Sequence, residues 1–469
     1  MIKKIMIISM ALFGAFGYSQ TKQNAKYVFL FIGDGMGANQ VYTTEMYLNA
    51  KPNEIKADKL LMSSFPVNSN MTNYSASSYV TTSCAAATAM STGFKTNNGI
   101  IGKSPDKEIA YENISQKVKK AGFKVGILSS VSIDHATPAS FYAHQNSRDM
   151  YYEISMELPN YNIDYFGGGG FRHPKGDKGD QPDSFENAIK KGYTIADSHQ
   201  EFNKLKNGDE KIIAINPDMY PSGEFFWAID KNEGALSLAD FTKKGIEVID
   251  NDKGFFMMVE GGKIDWACHG NDGVSMVHEV LAFNDAIKEA YEFYKKRPDE
   301  TLIIVTADHE TGALSTGINY VTHPELLKYQ IISVQEFKRK MTELKNTDPK
   351  VSFNTILDLV QADFGLGNND IGLSLDDKEL ALLKSAYNKQ FKENKKVNAD
   401  ADYLTKTKTK SIAETTAYIL NEKAGISWGS GNHSGSPIPV RVIGKGQEEF
   451  SEFFDNTDLP KKIMKLMGI

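Results

Sequence analysis

Tyr27-Val-Phe-Leu-Phe-Ile32 runs directly into Gly33-Asp34-Gly35-Met36-Gly37. An unbroken apolar run stopped by glycines predicts a strand buried on both faces, as in a parallel sheet. The same design recurs down the chain. Phe123-Lys-Val-Gly-Ile-Leu128 precedes Ser129-Ser130, and Phe255-Phe-Met-Met-Val259 ends at Glu260-Gly261-Gly262. Thr301-Leu-Ile-Ile-Val305 ends at Thr306-Ala307-Asp308-His309, and Ile438 to Ile443 follows His433. Helical patterns lie between, notably Glu108 to Ala121 and Val274 to Lys295. Strands alternating with helices predict an α/β fold, a three-layer αβα sandwich around a mostly parallel central sheet.

Composition agrees with a globular enzyme. Of 469 residues, 41% are hydrophobic and 24% charged, which excludes fibrous, collagenous and disordered classes. Length alone allows roughly three domains, although α/β enzymes of this size are often one domain with insertions. The net charge is −6, so nothing points to nucleic acid as a specific partner. At the N-terminus, Lys3 and Lys4 precede an apolar run from Ile5 to Phe16. A short basic segment followed by so short an apolar run predicts a signal peptide over residues 1–20, cleaved near Ser19 or Gln20. The protein is then exported, periplasmic or secreted, with no membrane anchor. Cys84 and Cys268 are the only cysteines. They read as small buried neighbours of the chemistry, with a single bridge the alternative.

Ligand-type residues fall at the strand ends, where open α/β sheets bind their ligands. Asp34, Glu260, Asp308 and His309 all sit there. Four carboxylate and imidazole groups at the tips of three strands predict a polynuclear metal site. Asp265 and His269 are spaced i, i+4 and share a face if that stretch is helical. Ser83 stands before the alanine-rich run Cys84-Ala-Ala-Ala-Thr-Ala-Met90. A helix N-terminus there favours an anion, although hydroxyl residues also occupy such positions simply as caps. Gly167 to Gly170 lacks the context of a phosphate loop and reads as a turn. His144, His173, His199, His278 and His323 belong to no motif.

Taken in order, Ile32-Gly-Asp34-Gly-Met-Gly37, Thr82-Ser83-Cys84-Ala85, His135-Ala-Thr137-Pro-Ala, Arg148, Glu260-Gly-Gly-Lys-Ile-Asp265 with His269, Asp308-His309-Glu-Thr-Gly312 and His433-Ser-Gly435 form an ordered set. The set resembles the alkaline phosphatases, two-zinc, one-magnesium phosphomonoesterases, from about Tyr27 to Ile443. The resemblance implies that Asp265, His269 and His433 hold a first zinc, and Asp34, Asp308 and His309 a second. Asp34 bridges toward a magnesium site completed by Thr137 and Glu260. Ser83 is implied as the nucleophile, passing through a phosphoserine, and Arg148 as the phosphate clamp. The implied substrates are small phosphate monoesters. Residues 21–469 form the catalytic domain, and a homodimer is one option for its assembly.

The chain departs from the best-known members at four places. Thr82 stands where they have an aspartate that supports the arginine, which leaves Arg148 less constrained. His135 also replaces an aspartate and is expected behind the magnesium shell, biasing that site away from magnesium. Trp266 stands where many members have lysine or histidine. His309 and His433 lie 124 residues apart. The stretch from about Pro324 to Ala424 reads as a helical insertion over one rim of the site, with Ser374-Leu-Asp-Asp377 resembling a capping box and Ser411 to Lys423 a further helix. Three other readings are weighed against this one. A phosphodiesterase of the same superfamily is expected to lack the Arg148 and Glu260 features. A sulfatase needs a Cys-x-Pro-x-Arg motif, which Cys84-Ala-Ala-Ala-Thr88 does not supply. A non-catalytic exported phosphate- or metal-binding protein should have lost a ligand or the serine.

Overall fold

The computed structural model describes residues 24–317, 320–393 and 410–469. The expected signal peptide lies outside these residues. The strands are β1 Tyr27–Gly33, β2 Val67–Thr72, β3 Lys124–Ser132, β4 Tyr165–Gly169, β5 Thr194–Ala196, β6 Ile212–Ile215, β7 Phe255–Gly261, β8 Thr301–Thr306, β9 Glu310–Thr311, β10 Leu314–Thr316, β11 Ile426–Trp428, β12 His433–Ser434, β13 Ile438–Gly444 and β14 Phe454–Asp455. Ten of them form one sheet in the order β14-β2-β13-β8-β1-β7-β3-β4-β6-β5. β13 pairs antiparallel with both neighbours, and every other pairing in the sheet is parallel.

Every residue of β1, β7 and β8 is buried, as the unbroken apolar runs require. Alternate residues face opposite helical layers. Phe255 of β7 packs on Phe293 of the helix Gly273–Lys296, while Phe256 packs on Phe141 across the sheet. Phe29 and Phe31 of β1 meet Phe293 and Phe283 of that same helix. Each such ring withdrawn from water contributes about 1.5–3 kcal/mol. Helices Leu238–Ile249 and Gly273–Lys296 cover one face; Ser83–Thr92, Ile114–Lys120 and Leu459–Met467 lie on the other.

Register delivers the site. Ile32 pairs with Glu260 on one side and Thr306 on the other, so Asp34, Glu260 and Asp308 leave three adjacent strands at one edge. Ser129 of β3 pairs with Glu260 from the next strand.

Some local readings change. Gly167 to Gly169 belong to β4 and not to a turn. They are glycines because neighbours crowd them: a Cβ on Gly168 would lie 2.5 Å from the Ser129 carbonyl, and one on Gly169 would lie 1.7 Å from that of Gly223. The helix expected from Glu108 starts only at Ile114, where Asn113 and Gln116 form a capping box. Upstream, Lys103 and Ala110 form a β-bridge that holds the chain out of a helix. The capping box near Ser374 is made by Asp376 with Glu379, and the one at Ser411 by Ser411 with Glu414. Both cysteines are buried and unbridged.

Candidate metal centre and active site

The helix Lys263–His269 brings Asp265 and His269 onto one face, with His269 Nε2 3.3 Å from Asp265 Oδ2. His433 arrives from β12, which pairs with β9 immediately after Asp308-His309. Its Nε2 lies 3.2 Å from His269 Nε2 and 3.8 Å from Asp265 Oδ1. His309 Nε2 lies 3.4 Å from both Asp34 and Asp308. The rings of His309 and His433 stack at 3.5 Å. All the carboxylates here are buried.

Hydrogen bonds settle where the imidazole protons sit. His269 Nδ1 donates to the Gly431 carbonyl at 2.7 Å, and His433 Nδ1 to the Thr81 carbonyl at 2.8 Å. The Thr311 hydroxyl donates to Asp265 Oδ1, so it accepts from His309 Nδ1 at 3.2 Å. In the neutral rings all three Nε2 atoms then carry lone pairs, turned toward one another, toward carboxylates and, at His309, toward the Ser83 hydroxyl. Asp34 Oδ1 and Oδ2, Asp308 Oδ2, Glu260 Oε1 and Thr137 Oγ1 are buried with no hydrogen-bond partner. Lone pairs converging in a dry interior are costly unless a cation sits among them. Three sets of side chains lie close enough to share an ion: Asp265 with His309 and His433, Asp34 with Asp308 and His309, and Asp34 with His135 and Glu260.

Electrostatics carries the same mark. Burial, then Asp308, Asp265 and Glu260, raises Asp34 well above the usual carboxylate range. Burial lifts Asp308 to about 7 and Glu260 to about 8. Burial also works against ionisation of Asp265, but His269, His433 and His309 outweigh it and hold that carboxyl well below its ordinary value. Burial, reinforced by His433, lowers His309 well below the ordinary imidazole value.

Ser83 opens the helix Ser83–Thr92, and no side chain caps that end. Its Oγ is buried, 3.2 Å from His309 Nε2. Thr82 points away, its hydroxyl accepting the Gly99 N–H at 3.2 Å. Arg148 Nη2 donates to His135 Nε2 at 3.0 Å, and the Arg148 N–H donates to the Gly99 carbonyl at 2.8 Å. His135 thus holds the arginine that Thr82 leaves unsupported. Because Arg148 occupies the Nε2 lone pair, the ring proton of neutral His135 lies on Nδ1, which is buried and without an acceptor. Burial and Arg148 keep the ring neutral. Trp266 sets its ring against His135 at 5.8 Å.

Several partners were not singled out from the sequence. The Ser129 hydroxyl donates to Glu260 Oε2, and Asn73 Nδ2 donates to the Asp308 carbonyl at 3.1 Å. Gln40 Nε2 donates to Glu310 Oε1 at 2.7 Å, bracing the turn after His309. Ser129 alone carried a legible signal, a hydroxyl that closes the apolar run inside β3. The five histidines set aside pair elsewhere: His144 with Glu157, His278 with Tyr47, His199 with Asp218, His173 with Asp177 and His323 with Glu325.

Fold and cluster together define a metal-binding α/β hydrolase. The family model of alkaline phosphatase matches residues 25–469. Alkaline phosphatase 4 of Bacillus subtilis is 30% identical over 461 residues, covering 96% of this chain and 90% of its own length. The cold-active enzyme of a psychrophilic Shewanella superposes with a TM-score of 0.77 at 25% identity, over 94% of this chain and 99% of that one. The Thermus thermophilus alkaline phosphatase shares the fold, with a TM-score of 0.76 at 23% identity over 98% and 96% of the two chains. The chain belongs to the alkaline phosphatase family and is a phosphomonoesterase. Among the described residues no helix is long and apolar enough to cross a membrane.

Proposed function

We propose that the chain hydrolyses small phosphate monoesters through a phosphoserine on Ser83. The observation that carries this reading is the Ser83 hydroxyl, buried at a helix N-terminus and 3.2 Å from the inward Nε2 of His309. Asp265, His269 and His433 would hold one zinc, and Asp34, Asp308 and His309 a second, since carboxylate and imidazole are zinc donors. Asp34, Thr137 and Glu260 offer oxygen alone, the donor set that suits magnesium. His135 lies close enough to Asp34 and Glu260 to share that ion, but Arg148 occupies its Nε2 lone pair, so the neutral ring would stand beside the oxygen donors rather than add a free nitrogen to them. The bound ions would supply Lewis-acid stabilisation of the attacking and leaving oxygens.

The chain's own groups perform the rest. Ser83 Oγ, its proton lost to water, attacks phosphorus, helped by the positive end of its helix; the ester P–O bond breaks and the departing alkoxide takes a proton from water to leave as the alcohol. Arg148, aimed by His135 and anchored through Gly99, grips two non-bridging oxygens, which a lysine's single ammonium cannot do. Water then cleaves the phosphoserine and releases inorganic phosphate. Export to the periplasm or beyond, implied by residues 1–20, belongs to the same reading.

The test is direct. Zinc- and magnesium-loaded protein is offered a phosphomonoester, a phosphodiester and a sulfate ester side by side, and its metal content is measured. The monoester should be strongly preferred, with two zincs per chain, and chelation should abolish turnover until zinc is returned. Equal turnover of the diester, or active protein holding no zinc, would overturn the reading.

A further inference from the structure

The helix Lys263–His269 carries two candidate ligands of the first zinc, and both of its ends enter a buried polar frame outside the site. At its start, Lys263 is only 1% exposed. Its Nζ donates to the Phe225 carbonyl at 2.6 Å and lies 3.9 Å over the Trp227 ring. A buried ammonium is costly and persists where such partners are fixed in place. Just past the helix end, Asp272 is fully buried. It caps the following helix through the N–H and hydroxyl of Ser275, at 3.1 and 2.5 Å.

The same carboxylate also accepts from residues 330 and 334 of the expected insertion. Gln330 Nε2 donates to Asp272 Oδ1 at 2.9 Å, and the Val334 N–H to Oδ2 at 2.8 Å. Between those two contacts, the N–H and hydroxyl of Ser333 donate to Asp230 at 2.8 and 2.5 Å. Trp227 Nε1 donates to Gln335 Oε1 at 2.8 Å. At the far end of the segment, Asn421 Nδ2 donates to the Asn271 carbonyl at 2.8 Å. The packing there is tight, since a Cβ on Gly273 would fall 2.6 Å from Ile426 Cδ1 and 2.7 Å from Asn421 Oδ1. Lys263 binds the helix start to residues 225–227, residues 227–230 bind to 333–335, and 330–334 bind to the helix end. The loop of contacts closes around the helix.

We infer that residues 330–335, with Asn421, are a positioning element for the first metal: through Asp272, Asp230 and the Asn271 carbonyl they hold the Lys263–His269 helix so that Asp265 and His269 stay aligned with His433. The inference rests on the proposed metal assignment above. It gives the segment a task that needs no contact with substrate. Charged acceptors in low-dielectric surroundings make strong and directional holds. A ligand pair held from behind in this way releases its ion slowly.

The experiment measures how fast zinc passes from the loaded, full-length enzyme to a chromogenic chelator, and the free zinc giving half-maximal activity. Gln330→Ala removes one hold from the segment side alone, and Asp272→Asn weakens the shared acceptor. Ser352→Ala is the control. It deletes a helix cap inside the segment, where Ser352 Oγ accepts the Thr355 N–H at 3.1 Å, and touches nothing in the frame. Both frame variants should speed release of one zinc per chain at least fivefold and raise the half-activating zinc by a similar factor, with activity restored in excess zinc. Ser352→Ala should lower the unfolding midpoint and leave zinc release within twofold of the parent. If Asp272→Asn does not fold, Gln330→Ala decides alone. Release unchanged by the frame variants, or hastened equally by Ser352→Ala, would overturn the inference. A parent protein that binds no zinc would instead break the metal assignment, and the inference would fall with it.

Discussion

Replacing Arg148 by alanine should separate monoester from diester hydrolysis. Arg148 is half-buried as a residue, its guanidinium is directed by His135 at 3.0 Å, and its backbone is pinned to Gly99. A hydrogen bond to a charged group is worth about 1.5–3 kcal/mol. In the proposed role two such bonds would reach the phosphoryl oxygens, and water entering the partly exposed site would recover part of the loss. A net penalty of about 1.5–3 kcal/mol is therefore expected, and a tenfold change in rate corresponds to about 1.4 kcal/mol. Arg148→Ala should lower kcat/KM for an aryl phosphate roughly ten- to a hundredfold or more. A diester presents only two non-bridging oxygens and carries a substituent where the arginine grips, so its hydrolysis should fall much less. The assay is steady-state hydrolysis of matched aryl mono- and diesters, with zinc content measured on the same samples. Arg148→Lys keeps the charge without the fork and should recover only part of the monoester rate. If both ester classes lose activity by one factor while zinc stays bound, Arg148 acts on something they share, and this account of selectivity is wrong.

Ser83→Ala should lower kcat by orders of magnitude with zinc still bound, whereas Thr82→Ala, whose hydroxyl faces Gly99, should remain active; a trapped phosphothreonine would reverse that assignment. The metal-free protein should lose stability as pH rises from about 6.5 to about 8. Burial lifts Asp308 to about 7 and Glu260 to about 8, so the folded state keeps protons that the unfolded chain has already lost above about 4. Each carboxyl still protonated costs about 1.4 kcal/mol per pH unit over that window. His135, His309 and His433, all lowered by burial, act in the opposite sense but only below about 6.5. Unfolding midpoints against pH, with and without zinc, check this: the metal-free midpoint should fall and the loaded one should not, and a rise in the metal-free protein would contradict the reasoning.

Local chemistry alone placed much of this molecule. Unbroken apolar runs marked buried parallel strands and the tips that carry Asp34, Glu260 and Asp308, because burial on both faces leaves no polar alternation. The i, i+4 spacing of Asp265 and His269 required only a helix, and Ser83 before an alanine run required only a helix start. What the tertiary structure decided depends on partners distant in the chain. β13 looked like the parallel strands but pairs antiparallel, since an apolar run carries no record of its direction. Gly167 to Gly169 read as a turn because glycine signals both turns and crowding, and only the approach of Ser129 and Gly223 shows which. Arg148 was expected to be loosely held once an aspartate gave way to Thr82, but His135 reaches it by hydrogen bond. The Nδ1 partners of His269, His309 and His433 are two carbonyls and a hydroxyl supplied by Gly431, Thr311 and Thr81. Such partners leave no mark in composition or spacing, yet two carbonyls and one hydroxyl turn three imidazole lone pairs inward, toward the carboxylates that the sequence could only nominate as their companions.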